Sequence, residues 1–436
     1  MQFLPNILFA IVLFGGVFFF VKNVKKLIRN IRLGKEVNRS DQSSLRWKNM
    51  MRVALGQSKM VTRPVSGLLH IIVYVGFLII NIEVLEIIID GLFGTHRIFS
   101  FLGPVYDFLI GSFEILAFLV LVSVIIFWIR RMVLRIPRFW KKEMTKWPKN
   151  DALNILYFEM VLMSLFLLMN AADYNLQQMG YEHYNQAGAY PVSKFIAQVL
   201  PNEPGTLVMI ERGAWWLHII GILIFLNYLY YSKHLHILLA FPNVYFGNLN
   251  PKGQFNNLQS VTDEVKLMLD PSADPYAAPD PNKPIERFGA KDVTDLNWVQ
   301  LLNAYTCTEC GRCTSVCPAN LTGKELSPRA IMMKTRDRLE EIGRNIDVNG
   351  KFVEDEKSLF STITHEEIWA CTSCNACVEE CPIEIDPLSI IMDMRRYLVM
   401  EESAAPQELN VVMTNIENNA APWQYSQMDR LNWKNE

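Results

Sequence analysis

Along its first half the chain alternates long apolar runs with short polar loops; along its second half it does not. Five stretches, Phe3–Val21, Leu68–Ile89, Tyr106–Ile129, Leu153–Ala172 and Gly213–Tyr231, are almost wholly apolar. Each approaches the ~20 residues that an α-helix needs to cross about 30 Å of hydrocarbon. A lone spanning segment must satisfy its own backbone hydrogen bonds, so the pattern predicts five transmembrane helices. The first run has no basic residue ahead of it; its charges, Lys22, Lys25, Lys26, Arg29 and Arg32, come after. With no small-residue cleavage site either, it reads as a retained anchor rather than a signal peptide.

Beyond residue 240 the pattern breaks. Asp270-Pro271-Ser272 and the stretch from Pro275 through Pro284 are dense in Pro, Asp and Ala, which stops helices and predicts an extended connector. Gln259–Leu269 reads as one short amphipathic helix within it. After Asp295 helical periodicity returns, including a segment over Ser327–Ile342. A chain of 436 residues is too long for one ordinary core. The expected organisation is a membrane domain over 1–240, a Pro-rich linker over 241–295, a helical domain over 296–400 and a tail over 401–436.

The formal net charge of −2 averages over this division. Lys and Arg crowd the loop after the first span and the loop after the third, from Arg130 to Lys149. The other two loops offer Arg97, then Lys194 and Arg212. Basic loops stay on the cytoplasmic side. The N-terminus is therefore expected outside and the C-terminal half in the cytoplasm, at a bacterial inner membrane.

All eight cysteines fall in that second half, in two copies of one spacing. The first is Cys307-x2-Cys310-x2-Cys313-x3-Cys317-Pro318; the second is Cys371-x2-Cys374-x2-Cys377-x3-Cys381-Pro382. This is the signature of two-cluster ferredoxins, in which the fourth cysteine of each run ligates the other cluster. One [4Fe–4S] cluster is thus assigned to Cys307, Cys310, Cys313 and Cys381, and the second to Cys371, Cys374, Cys377 and Cys317. A zinc site uses two CxxC pairs and leaves the extra cysteines and the prolines unexplained. Disulfides need an oxidising compartment. More than fifty residues separate the runs, which favours a helical two-cluster domain over a compact β-rich ferredoxin.

Histidines within spans are candidate ligands. His70 opens the second span; His218 lies near the outer end of the fifth, with His234 and His236 at its inner end. On one continuous helix the step from His218 to His236 is five whole turns, placing both on one face about 27 Å apart and turning His234 about 160° away. Antiparallel packing brings His70 and His236 to the same level, so a haem b between them is expected. His218 lacks a histidine partner and is left for a second haem or a quinone contact. Glu83, Glu86, Glu114 and Glu159 lie in or near spans and look scattered, which argues against a proton path.

The stretch Phe288–Pro328, with Thr306-Cys307-Thr308-Glu309-Cys310-Gly311-Arg312-Cys313, resembles the iron–sulfur subunit of heterodisulfide reductase. The five-span half, with His70, His218 and His236, resembles the gamma subunit of respiratory nitrate reductase. The combination is similar to membrane-bound Fe–S oxidoreductases that exchange electrons between quinone and a soluble partner such as an electron transfer flavoprotein. That resemblance implies an all-α protein, a five-helix membrane bundle plus a cytoplasmic two-cluster domain. It also implies a role as a quinone-linked oxidoreductase subunit. Two departures stand out. Ile80 occupies the place of the family's second histidine on span two. The sequence also stops soon after the second cysteine run, without the CCG domains that hold a catalytic cluster in relatives, so a CCG-domain subunit or a flavoprotein is the expected partner. A non-catalytic relay and a redox-driven pump component are the alternatives. With no GxGxxG or Walker motif, no bound nucleotide is expected, and no nucleic-acid partner.

Overall fold

The computed structural model describes residues 3–272 and 287–435. Five helices are long and apolar enough to cross a membrane: α1 (Leu4–Ile31), α3 (Pro64–Phe93), α4 (Pro104–Met132), α5 (Trp147–Gln178) and α7 (Pro204–Tyr228, continued by a 3₁₀ turn to Tyr231). Each has a proline in its first turn. There a missing N–H costs nothing and the fixed φ starts the helix, so α3, α5 and α7 begin several residues before their apolar stretches do. The five pack as a closed ring in the order α1, α3, α4, α5, α7. α1 turns Ile7, Ile11, Phe14 and Phe18 outward, as a lipid-facing helix must.

Short helices α2 (Ser43–Met50), α6 (Ser193–Ala197) and α8 (His236–Tyr245) complete this half. The fifth span does not run on to His236, as a continuous helix would require. It ends at Tyr231, turns at Ser232, whose hydroxyl caps the His234 N–H, and restarts at His236. Asp151 of α5 holds the break by accepting from the Lys233 N–H at 3.1 Å. Consequently His234 is not turned away from His236: their rings lie 5.4 Å apart.

Of the connector, α9 (Gln259–Leu269) forms as expected, whereas Pro275–Pro284 lies outside the described residues. The second half holds α10 (Trp298–Thr306), α11 (Arg312–Val316), α12 (Pro318–Leu321), α13 (Pro328–Asn349), α14 (His365–Trp369), α15 (Ala376–Glu380) and α16 (Pro387–Met400). α17 (Gln407–Asn419) lies in the tail. The duplicated cysteine spacing is duplicated in structure. Each run wraps into a short helix, α11 or α15, and these two pack together. Each run is then followed by a proline-started helix with a side-chain cap, Ser327 on α13 and Asp386 on α16. No strand forms among the described residues; one parallel bridge joins Lys35 to Asn297.

The two halves share one apolar core, in which Leu27, Val53, Leu229, Leu235 and Val244 meet Leu301, Ile331, Ile342 and Ile391. Within the membrane half, Arg46, fully buried, ties α2 to the end of α8, donating to the Tyr245 and Gly247 carbonyls at 3.1 and 2.9 Å. Two polar ties cross the same seam. Asn30 donates to the Tyr305 hydroxyl at 3.0 Å, and Asn243 donates to the Ile383 carbonyl at 2.8 Å. At the start of the cysteine domain Gly289 has φ +79°, and a Cβ there would sit 2.2 Å from the Asp393 carbonyl oxygen. Gly289→Ala is therefore expected to destabilise by at least about 2 kcal/mol. Gly253→Ala, also at positive φ but with open space around it, should cost only about 1 kcal/mol. Thermal melts of the two variants check the difference; equal melting temperatures would contradict the packing described.

Candidate functional site

The first cysteine loop leaves α10 at Cys307 and re-enters a helix at Arg312; the second leaves α14 near Cys371 and re-enters at Ala376. Between the cysteines, the two loops bend alike. Glu309 (φ 54°) and Gly311 (φ 72°) in the first correspond to Ser373 (φ 56°) and Asn375 (φ 59°) in the second. Left-handed residues alternating with ordinary ones turn successive N–H groups toward one concave side, the geometry that receives sulfur and other anions. The Ser373 N–H donates to Cys371 Sγ at 3.4 Å and the Ile385 N–H to Cys381 Sγ at 3.3 Å. Gly311 is required twice over: its φ is positive, and a Cβ would lie 2.4 Å from the Arg329 guanidinium.

None of the eight cysteines is joined in a disulfide. Cys381 faces Cys310 and Cys307, across the two runs, while Cys371 and Cys377 both face Cys317. Burial pushes Cys307 up to about 11 and Cys381 up to about 12, so thiolates persist there only against a cationic partner. Among the described residues, no three Cys, His, Asp or Glu side chains converge tightly enough for a single ion. A bare zinc would draw its thiolates to about 3.8 Å from one another, given about 2.3 Å Zn–S bonds; a four-iron cube wants them farther apart. The donor set therefore fits two clusters.

The loops differ in setting. Glu309, Gly311 and Arg312 are buried against the membrane half, whereas Cys374 is exposed. Arginines surround the first loop. Arg312 donates to the Lys59 and Met60 carbonyls at 3.1 and 3.4 Å, Arg138 lies within reach of Cys310, and Arg336 pairs with Glu309 at 2.9 Å. Glu309 also pairs with Lys233. Burial would raise the Glu309 carboxyl, but Lys233 and Arg336 outweigh it and hold it below the usual carboxylate range.

Lys233 connects this loop to the histidines. Its carbonyl lies 3.1 Å from His236 Nδ1. A carbonyl can only accept, so Nδ1 carries the proton and Nε2 keeps its lone pair, as a metal ligand requires. His70 and His236 have ring centroids 6.4 Å apart. His70 Nδ1 and the Tyr74 hydroxyl, one turn away, are buried without a partner. Both rings are half-buried. These residues fit a haem. His218 is placed differently: it is 1 % exposed, its Nδ1 lies 3.0 Å from the Leu162 carbonyl oxygen, and its ring packs on Phe166. Its buried surroundings do not bring it to the other histidines.

Sequence reasoning missed Lys233, Glu309 and Arg312 as positioning groups. The signal was available for Lys233, a lone cation directly before two histidines at a span end. It was weaker for Glu309 and Arg312, which any solvated loop could carry.

Residues 306–385 match the family described as a 4Fe-4S dicluster domain. Across 99% of its length the chain is 30% identical to the probable iron-sulfur-binding oxidoreductase FadF of Bacillus subtilis, spanning 61% of that protein. It is 25% identical to the EtfAB:quinone oxidoreductase of Syntrophomonas wolfei over 92% of this chain and 55% of that one. A probable membrane-anchored ferredoxin of Chromohalobacter salexigens is 34% identical over 34% of this chain and 24% of its own length. The chain thus spans between half and two thirds of the first two relatives. No solved structure matches it. The similarity is to membrane-anchored iron–sulfur electron-transfer proteins of oxidoreductase type, in agreement with the five apolar helices and the cysteine loops.

Crossed ligation makes a distinct prediction. Cys381→Ser should strip the cluster shared with the first run and leave the other, lowering non-haem iron from about eight to about four per chain. Iron analysis with electron paramagnetic resonance of the reduced protein checks this. Retention of both cluster signals would contradict the crossed assignment.

Proposed function

We propose that this chain is the membrane electron-transfer subunit of a quinone-linked oxidoreductase. In this reading it passes electrons between a soluble flavoprotein or CCG-type iron–sulfur partner and a membrane quinone. Cys307, Cys310, Cys313 and Cys381 hold one [4Fe–4S] cluster, Cys371, Cys374, Cys377 and Cys317 the second, and His70 with His236 a single haem b. When bound, these groups supply one-electron transfer.

The protein's own residues do the rest. The two loops present N–H groups to the cysteine sulfurs, which stabilises their negative charge. Arg138, Arg312 and Arg336 surround the first loop with positive charge and, with the membrane half, keep water from it. Lys233 fixes the His236 ring through its carbonyl and the first loop through its ammonium. The exposed edge at Cys374 leaves the second loop open to a soluble partner. The basic loops support a cytoplasmic placement for that edge. The similarity to a protein named as an EtfAB:quinone oxidoreductase supports the flavoprotein and quinone assignments.

The observation that carries this reading is the 6.4 Å approach of the His70 and His236 rings beside the buried first loop. A reduced-minus-oxidised optical spectrum of the detergent-purified protein is expected to show about one haem b per chain. His236→Ala should remove that absorbance and abolish quinol oxidation while non-haem iron stays at about eight atoms per chain. Undiminished turnover in His236→Ala would defeat the proposal. The exposed second loop would serve equally in a simple relay, and absence of both haem and quinol oxidation would favour that role.

A further inference from the structure

At the end of the bundle opposite the cysteine domain, three of the acidic residues that look scattered in sequence, Glu83, Glu86 and Glu114, converge with Asp173, while Glu159 lies near His234. Arg97, from the loop between α3 and α4, turns into the ring of helices and is 7 % exposed. Its guanidinium donates to Glu83 at 2.8 Å, Asp173 at 3.0 Å and Asn170 at 2.6 Å. Glu86 lies 3.8 Å from it, and Asn170 hands on to Glu114 at 3.2 Å. Three carboxyl groups thus share one guanidinium and Glu114 reaches it through Asn170, none of the four being more than 2 % exposed. In a region of low dielectric constant they cannot all be charged.

The hydrogen bonds single out which of them is neutral. Glu86 accepts from the Phe99 N–H and the Tyr106 hydroxyl. Glu114 accepts from the Val192 and Ser193 N–H groups as well as from Asn170. Asp173 accepts from Arg97 and Gln177. Glu83 has Arg97 on one oxygen, while its other oxygen, Oε2, is buried with no partner. An anionic oxygen left bare in the interior is costly, and a proton there removes the charge.

The remaining ionisable neighbours do not supply the missing charge. Asp90 of α3 caps Thr95 and the Arg97 and Ile98 N–H groups. On α7, Glu211 is matched by Arg212. His96 lies 3.7 Å from Asp173, and Tyr190 stands beside Asp173 and Gln177. α1 has no ionisable side chain between residues 3 and 21. A cavity of about 20 Å³, room for about one water, is bordered by Glu86, His96, Arg97 and Arg212, and Arg97 links it to Glu83.

We propose that Glu83 is a proton-holding site of the membrane domain, exchanging its proton through this crevice with the face opposite the cysteine domain. Glu83–COOH gives a carboxylate and a proton to water, and Arg97 receives the new negative charge. The ligand is a proton rather than a metal cation, because the guanidinium occupies the centre and, among the described residues, no acidic trio converges on a point. The inference goes beyond the electron-transfer reading and does not depend on a haem.

Infrared difference spectroscopy of the purified full chain tests it. At neutral pH a protonated-carboxyl C=O band is expected that shifts in D₂O and is lost at high pH. Glu83→Gln should remove it, while Glu114→Gln, whose carboxylate is fully hydrogen-bonded, should leave it. Iron content serves as the folding control, and if Glu83→Gln does not fold, Glu83→Asp should move the band instead. A band that persists in Glu83→Gln, moves only with Glu114, or ignores both D₂O and pH would overturn the proposal.

Discussion

A buried carboxylate and a buried ammonium meet at the seam between the two halves: Glu309, set between the first two cysteines, and Lys233, set between the end of the fifth span and His236. Glu309 is shared with Arg336 at 2.9 Å and Lys233 lies 3.7 Å from Asp151, so the pair belongs to a buried charge network that fixes the seam as well as bridging it. Lys233 is itself held by the Pro148 carbonyl at 2.7 Å, and its N–H by Asp151. Through this one residue the start of the fourth span, the break in the fifth span, the His236 ring and the first cysteine loop are joined in one assembly.

That assembly explains the asymmetry of the two cysteine loops. They bend identically, residue for residue, yet one is enclosed by arginines and membrane helices while the other keeps an exposed edge. An internal duplication has been put to two uses. The buried copy faces the histidines and the open copy faces solvent, which is the arrangement required to join a membrane site to a soluble partner.

Much of this was legible in the sequence, and what was not has identifiable causes. The five spans follow from apolar length alone, and the cysteine spacing carries the duplicated loop. The break at Ser232 was hidden because Ser-Lys-His-Leu-His holds no Gly or Pro; it exists because Asp151, from another helix, binds the Lys233 N–H. A geometry reasoned on one straight helix therefore placed His234 wrongly while still pairing His236 with His70. The convergence of Glu83, Glu86, Glu114 and Asp173 was invisible for a related reason. They come from three helices, and Arg97, the residue that gathers them, sits in a loop where it reads as an ordinary surface charge.

The account's central claim is that the first cysteine loop and the His70/His236 pair form one redox unit across the seam. Locating iron by anomalous scattering at its absorption edge, in crystals of the protein as purified, tests this most directly. The account predicts two multi-iron peaks in the cysteine domain and a third, single-iron peak midway between the two imidazole rings. Two peaks in the cysteine domain, with the histidine rings in direct contact and no iron between them, would contradict it.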